Sequence, residues 1–86
     1  MKDLVSLRAE INQLDEQLWD IIGKRVDVAR EIGEWKRMHN ESVVQMQRYQ
    51  EVLEHCRMIG LQYGLSEEVI HEVMEALHKE SVRVES

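Results

Sequence analysis

The sequence has little of what a disulfide scaffold, a zinc site or a membrane anchor requires. It contains no proline, no phenylalanine, only four glycines and a single cysteine, Cys56. One thiol excludes an internal disulfide, and the dispersed histidines offer no zinc-binding spacing. No apolar run is long enough to span a bilayer, and Met1 is not followed by a signal-peptide core. We therefore expect a cytoplasmic enzyme or binding module.

The chain also has no excess of positive charge. Its formal net charge is −6 over 86 residues. Phosphate backbones and anionic membranes require a basic face, so the charge argues against nucleic-acid and membrane-surface partners. A small anionic ligand remains compatible, because it needs only a local basic cluster. The length predicts one domain, residues 1–86, with a core so small that a partner chain often supplies the rest.

The composition and the spacing of apolar residues both favour helices. Steps of three and four residues run through the first forty positions, which predicts one long helix with an apolar seam. Asp3 or Ser6 is expected to cap its start, and a turn is expected near His39 and Asn40. The seam consists of Leu4, Leu7, Ile11, Leu14, Leu18, Ile21, Arg25, Val28, Ile32 and Trp35.

Two shorter helices follow in the predicted order. The first runs from about Val44 to Tyr63, with Gly60 and Gly64 as candidate terminators. Ser66 is expected to cap the second, which carries an apolar stripe from Ile70 to Val84. The fold class is therefore all-α, with one long and two shorter helices.

The length of the first helix has a consequence for assembly. It would extend roughly 50 Å, about twice the length of either other helix. Two short helices cannot easily cover so long an apolar seam, so we expect a second copy of the chain and an intertwined homodimer. A plain antiparallel coiled-coil dimer without an active site fits the periodicity equally well.

Most basic side chains have an acid three or four positions away, which is typical of solvated ion pairs on a helix surface. These residues are Lys24, Arg30, Arg37, Arg57, Lys79 and Arg83.

Arg8, Arg25 and Lys36 have no such local acid. Arg25 also interrupts the apolar seam, where an unpaired charge is costly to bury. Arg25 and Lys36 lie eleven residues apart, so they share one helix face about 16 Å apart along the axis, within reach of one anion. Arg25 could instead set the register of the seam or pair with an acid on another helix.

The order and spacing of several short stretches resemble the all-helical class of chorismate mutases over nearly the full length. The segment Trp35-Lys36 and the segment Val43-Val44-Gln45 look most like versions fused to DAHP synthase. The stretches that carry the resemblance are Leu7-Arg8-Ala9-Glu10-Ile11, Leu14-Asp15, Lys24-Arg25, Glu31-Ile32-Gly33-Glu34-Trp35-Lys36, Arg48 and Glu80-Ser81.

The resemblance implies an intertwined dimer and a role for each matching residue. Arg8 would reach into the partner's site and bind one carboxylate, and Arg25 would hold the other. Lys36 would bond the ether oxygen, while Arg48 would add positive charge and Ser81 a hydroxyl contact. Arg8 lies about 25 Å from Arg25 along one helix, so a small ligand can touch both only if they belong to different chains.

Three residues depart from the better-known family pattern. Gln45 stands where several members have an acid, and Tyr49 replaces a frequent glutamate at the same contact. Glu85 stands where a glutamine commonly donates to the ether oxygen. A carboxylate can donate only when it is protonated. The resemblance thus implies activity that favours acidic conditions, as in members that carry glutamate here.

The reaction implied is the Claisen rearrangement of chorismate to prephenate, which needs no nucleophile, metal or cofactor. Positioning and electrostatic stabilisation would accelerate it, with Lys36, Glu85 and Arg25 as the catalytic candidates. Two other functions remain open from the sequence. One is an isochorismate pyruvate-lyase, which uses a similar scaffold. The other is a non-catalytic helical dimerisation or regulatory module.

Overall fold

The computed structural model describes all 86 residues as three helices without a strand. Helix α1 spans Leu4–Met38, α2 spans Met46–Gln62 and α3 spans Glu67–Glu85. The predicted all-α class is therefore confirmed, with one helix of 35 residues and two of 17 and 19. None of the three is both long enough and apolar enough to cross a membrane.

Local capping chemistry fixes where the helices begin. The side chain of Asp3 accepts a hydrogen bond from the backbone N–H of Ser6 at 2.8 Å, and Ser66 accepts one from Val69 at 3.2 Å. Both interactions satisfy an amide that has no partner within its helix. Helix α2 begins at Met46, two residues later than the predicted Val44, and Gln45 before it makes no side-chain cap.

Backbone conformation fixes where α1 and α2 end. Asn40 has φ of 55° after the end of α1, as expected for the predicted turn, and Gly64 has φ of 77° after α2. Glycine adopts this left-handed conformation without strain, and asparagine tolerates it better than most other residues. The prediction that Gly60 ends α2 is wrong. Gly60 lies inside α2 and is buried, because the Ile70 side chain packs where a Cβ atom would stand.

Helix α3 lies between the other two. It packs against both α1 and α2, while no Cα atom of α1 lies within 8 Å of a Cα atom of α2. Ala29, Ile70 and Met74 are the only buried hydrophobic side chains, each less than a tenth exposed. Gly33 allows the closest approach of α1 to α3, since a Cβ atom there would lie 2.6 Å from the Cα atom of Glu85.

The first half of α1 extends beyond the rest of the chain. The molecule measures 56 × 23 × 14 Å, and its longest dimension is close to the length of α1. The apolar seam along this extension is open, with Leu14 57% exposed, Leu18 50% and Ile21 62%. A row of large apolar side chains on one helix face is typical of a surface that another chain covers.

Candidate active site

A pocket of about 570 Å³ lies where the second half of α1 faces the second half of α3. The connection from α1 to α2 and the first turns of α2 close its third side. Seven of the eight residues predicted to bind a ligand line this pocket, although they lie up to sixty positions apart in sequence. They are Arg25, Lys36, Gln45, Arg48, Tyr49, Ser81 and Glu85.

A buried ion pair forms one end of the pocket. The Nζ atom of Lys36 lies 2.6 Å from the Oε1 atom of Glu85 and also donates to the carbonyl of Val43 at 2.8 Å. The two charged side chains are only 13% and 9% exposed. Removing two charges from water is costly, and good geometry offsets that cost only in part. The ion pair therefore places one positive and one negative charge in a largely buried part of the pocket.

Arg25 binds α3 about three turns along α1 from Lys36. Its Nη1 atom donates to the hydroxyl of Ser81 at 2.7 Å and to the carbonyl of Leu77 at 3.3 Å. Thus the charge that interrupts the seam has polar partners on another helix, but no acid. The Nε and Nη2 donors of this guanidinium have no partner in the chain. They remain available for an anion, and a carboxylate can accept two such bonds side by side.

The α2 side of the pocket is more exposed. Arg48 makes one long ion pair, 3.7 Å, with Glu51, so most of its charge faces solvent and the pocket. The amide of Gln45 donates to the carboxylate of Glu41 at 3.2 Å. Tyr49 stacks on His78 with ring centroids 3.9 Å apart. Two helices thereby contribute one aromatic wall.

Arg8 lies outside this pocket and has no hydrogen bond or ion pair within the chain. It is exposed on the extended half of α1. A single chain therefore does not bring together the full predicted set of ligand-binding residues.

Five of the predicted surface ion pairs are present, and one prediction is wrong. Lys24 with Asp20, Arg30 with Asp27, Arg57 with Glu54, Lys79 with Glu75 and Arg83 with Glu80 all form. The hydrogen bond from Arg83 also holds the pKa of Glu80 below its ordinary value. Arg37 pairs with neither Glu34 nor Glu41. It donates instead to the backbone carbonyl of Glu85 at 3.1 Å, which the packing of α3 on α1 places beside it.

Sequence reasoning missed two polar residues of the pocket. The sequence indicated no function for His78, but its side chain lines the pocket beside Tyr49. Its position three residues before Ser81 and seven before Glu85 puts it on the same face of α3, a signal that the spacing did contain. Glu41 carried no signal, since its position depends on the turn between α1 and α2. Apolar side chains complete the lining, among them Val28, Ile32 and Met74.

The fold and the pocket define a class: small all-helical proteins with a site between helices that suits an anion of low mass. Three basic residues, Arg25, Lys36 and Arg48, face two acidic ones, Glu41 and Glu85, across an apolar floor. Residues 7–86 match the profile of the family described as chorismate mutase type II. The chain belongs to that family.

Named relatives match most of this chain at modest identity. T-protein of Haemophilus influenzae is 28% identical over 94% of this chain. The 4-amino-4-deoxychorismate mutase of Streptomyces pristinaespiralis is 27% identical over 95%. The bifunctional chorismate mutase/prephenate dehydratase of Buchnera aphidicola subsp. Schizaphis graminum is 29% identical over 93%. The matches span 22%, 64% and 21% of those proteins, respectively.

Proposed function

We propose that this protein rearranges chorismate to prephenate in the pocket between α1 and α3. One observation carries the proposal: the Lys36–Glu85 pair and the Arg25–Ser81 pair lie in the same pocket. Chorismate is a dianion with an ether oxygen between its two reacting parts. Such a substrate needs cations for its carboxylates and a hydrogen-bond donor for the ether oxygen, and the pocket has both.

The protein can accelerate this reaction by holding the substrate in its reactive shape and by stabilising the charge that develops in the transition state. Within one molecule the ether C–O bond breaks as a new C–C bond forms, which requires the side chain to fold over the ring. Holding that shape removes an entropic barrier. Negative charge grows on the ether oxygen as the bond breaks, and a preorganised donor there stabilises the transition state more than the ground state. Lys36 supplies a donor, and Glu85 supplies a second one only when its carboxyl is protonated.

The basic residues act as clamps. The unused donors of Arg25 suit one substrate carboxylate, because a guanidinium binds carboxylates through two parallel bonds. Ser81 fixes the rotamer of Arg25 and offers its hydroxyl to the ligand. Arg48 adds charge from α2, and Gln45 and Tyr49 stand near it as candidates for the substrate hydroxyl. An amide can donate or accept there.

The direct test is steady-state conversion of chorismate by the purified chain. We expect prephenate to form, and kcat/KM to fall by about a hundredfold or more in Arg25→Ala. Arg30→Ala is the matched control, since Arg30 lies on the same helix but pairs only with Asp27 at the surface. Unchanged turnover in Arg25→Ala would contradict the site assignment. Pyruvate release from isochorismate would favour a lyase, and a dimer with no turnover would favour an interaction module.

The role of Glu85 has its own test. Because only the protonated carboxyl donates, wild-type activity should rise as the pH is lowered. Glu85→Gln carries an amide donor at every pH, so its activity should not rise in this way. Wild-type activity that does not respond to pH would remove the proton of Glu85 from the chemistry.

A homodimer completes this site in the proposed account. The seam of α1 is open over its first half, and the chain buries only three hydrophobic side chains. A second copy packed along that seam would cover it and could present its Arg8 to the pocket of the first chain. Sedimentation should give twice the chain mass. Leu14→Glu puts a charge on the seam and should dissociate the dimer, whereas Asn12→Glu, off the seam, should not.

A second candidate substrate has one observation in its favour. Two relatives are named 4-amino-4-deoxychorismate mutases, and the match spans 81% of the one from Streptomyces venezuelae. The Glu41 carboxylate lies in the pocket beside Gln45, where it could pair with an amino group. Comparing kcat/KM on both substrates decides between them. A preference for the amino substrate that disappears in Glu41→Gln would support this alternative.

Two sequence-based predictions about context belong with this proposal. The expected compartment is the cytoplasm. The expected partner is a DAHP synthase domain, fused or associated. The bifunctional relatives support fusion in general, since their names pair chorismate mutase with prephenate dehydratase. Co-purification with DAHP synthase from native extracts would support this predicted partner, and failure to co-purify would contradict it.

A further inference from the structure

Glu85 of α3 supplies the acid that pairs with Lys36 in the pocket. Its backbone carbonyl accepts a hydrogen bond from Arg37 of α1. Because the position of a side chain depends on the position of its own backbone, this contact bears on where the carboxylate lies.

Two consecutive residues of α1 contact Glu85, one at its side chain and one at its backbone. Lys36 binds its carboxylate at 2.6 Å, and Arg37 donates to its backbone carbonyl at 3.1 Å. A charged guanidinium is a strong donor to a backbone carbonyl. One turn earlier, Gly33 lets the backbone of Glu85 lie directly against α1. Both the backbone and the side chain of Glu85 are thus held by residues of α1.

Arg37 forms this contact in preference to nearer acids. Glu34 and Glu41 are three and four residues away, yet neither pairs with it. Six other basic residues of the chain pair with an acid three or four positions away. Arg37 does not line the pocket, so it cannot act on a ligand directly. Its contact reaches the pocket only through Glu85.

We propose that Arg37 is a positioning residue for the rearrangement: by anchoring the carbonyl of Glu85 it sets where the carboxyl of Glu85 and the ammonium of Lys36 meet the substrate. The inference rests on the proposed function. It predicts an effect on the chemical step, because a donor displaced by even a fraction of an ångström stabilises the transition state less. Substrate affinity depends mainly on the arginine clamps and should change little.

A double-mutant cycle tests this coupling. Arg37→Ala should lower kcat about tenfold with KM within about twofold, and Arg37→Lys, which keeps a cationic donor, should recover most of the loss. In a Glu85→Ala background, assayed at higher enzyme concentration, Arg37→Ala should have almost no further effect on kcat. Arg30→Ala is the control and should leave kcat unchanged in both backgrounds.

Three outcomes would overturn the inference. They are an equal fall in kcat with and without Glu85, an effect on KM alone, and no effect at all. Helix content and melting temperature of every variant separate positioning from unfolding, because an unfolded variant would lose kcat without rescue by lysine. If wild type forms no prephenate, the proposed function fails, and the role of Arg37 fails with it. If wild type is active and the cycle shows no coupling, only the role of Arg37 fails.

Discussion

Gly33 offers the sharpest test of how α1 and α3 pack. A Cβ atom at this position would lie 2.6 Å from the Cα atom and 2.8 Å from the carbonyl oxygen of Glu85. Ordinary contacts begin near 3.4 Å, so Gly33→Ala must push the helices apart by roughly 0.8 Å, the difference between 3.4 and 2.6 Å. The obstructing atoms are backbone, and no side-chain rotation can relieve the overlap.

Gly23 provides a matched control on the same helix. A Cβ atom there meets nothing within 4 Å. Both substitutions replace glycine by alanine inside a helix, which by itself stabilises by about 0.5–1 kcal/mol. Only Gly33→Ala adds the overlap, and overpacking a tight contact costs about 1–3 kcal/mol. The difference between the two variants therefore isolates the overlap.

Thermal unfolding monitored by circular dichroism measures that difference. We expect Gly23→Ala to melt at or above the wild-type temperature and Gly33→Ala to melt below it. For a domain of this size, a loss of about 1 kcal/mol in the free energy of unfolding lowers the melting temperature by about 4–8 °C. All samples need the same protomer concentration, since the melting temperature of a dimer depends on it. The packing described here is refuted if Gly33→Ala proves as stable as Gly23→Ala.

Three smaller predictions concern single contacts. Ser66→Ala removes the cap of α3 and should cost about 1 kcal/mol in urea unfolding, whereas no loss would contradict the cap. Gly60→Ala meets only the side chain of Ile70, which can rotate, so its melting temperature should fall less than that of Gly33→Ala; an equal fall would mean that Ile70 cannot adjust. The backbone N–H of Ser6 lowers the pKa of Asp3 below its ordinary 3.8, so this cap stabilises the fold above that pH and is lost as the pH falls through the lower folded-state pKa. Melting temperature should thus fall more between pH 5 and pH 2 for wild type than for Asp3→Asn, and parallel curves would argue against the cap.

The helices could be predicted because their signals are local. Spacing of apolar residues, the caps Asp3 and Ser66, and the glycine after α2 all act within a few residues of each other. Gly60 shows the limit of such reasoning. A glycine near a helix end is typical of a terminator, but this one lies inside α2, where the absence of a side chain makes room for Ile70 of α3.

The candidate site could be predicted only in part. A missing local acid identified Arg25 and Lys36, and the resemblance added the residues of α2 and α3. Their partners could not be predicted from spacing, since Lys36 and Glu85 lie 49 residues apart and meet only when α3 packs on α1. The prediction that Arg37 forms a surface ion pair is wrong for the same reason. Its nearby acids suggested a surface pair, whereas its actual acceptor is a backbone carbonyl 48 residues away.

The central claim is that each chorismate mutase site of a dimer contains residues from both chains. A mixed-dimer assay tests this claim most directly. Arg8→Ala and Arg25→Ala should each be inactive alone. When the two variants are unfolded together and refolded, half of the dimers should be mixed, each with one intact site formed by Arg25 of one chain and Arg8 of the other. The account predicts recovery of about a quarter of the wild-type rate of prephenate formation. No recovery from variants that do form mixed dimers, beside an active wild type, would contradict a shared site. A wild type that forms no prephenate would contradict the function itself.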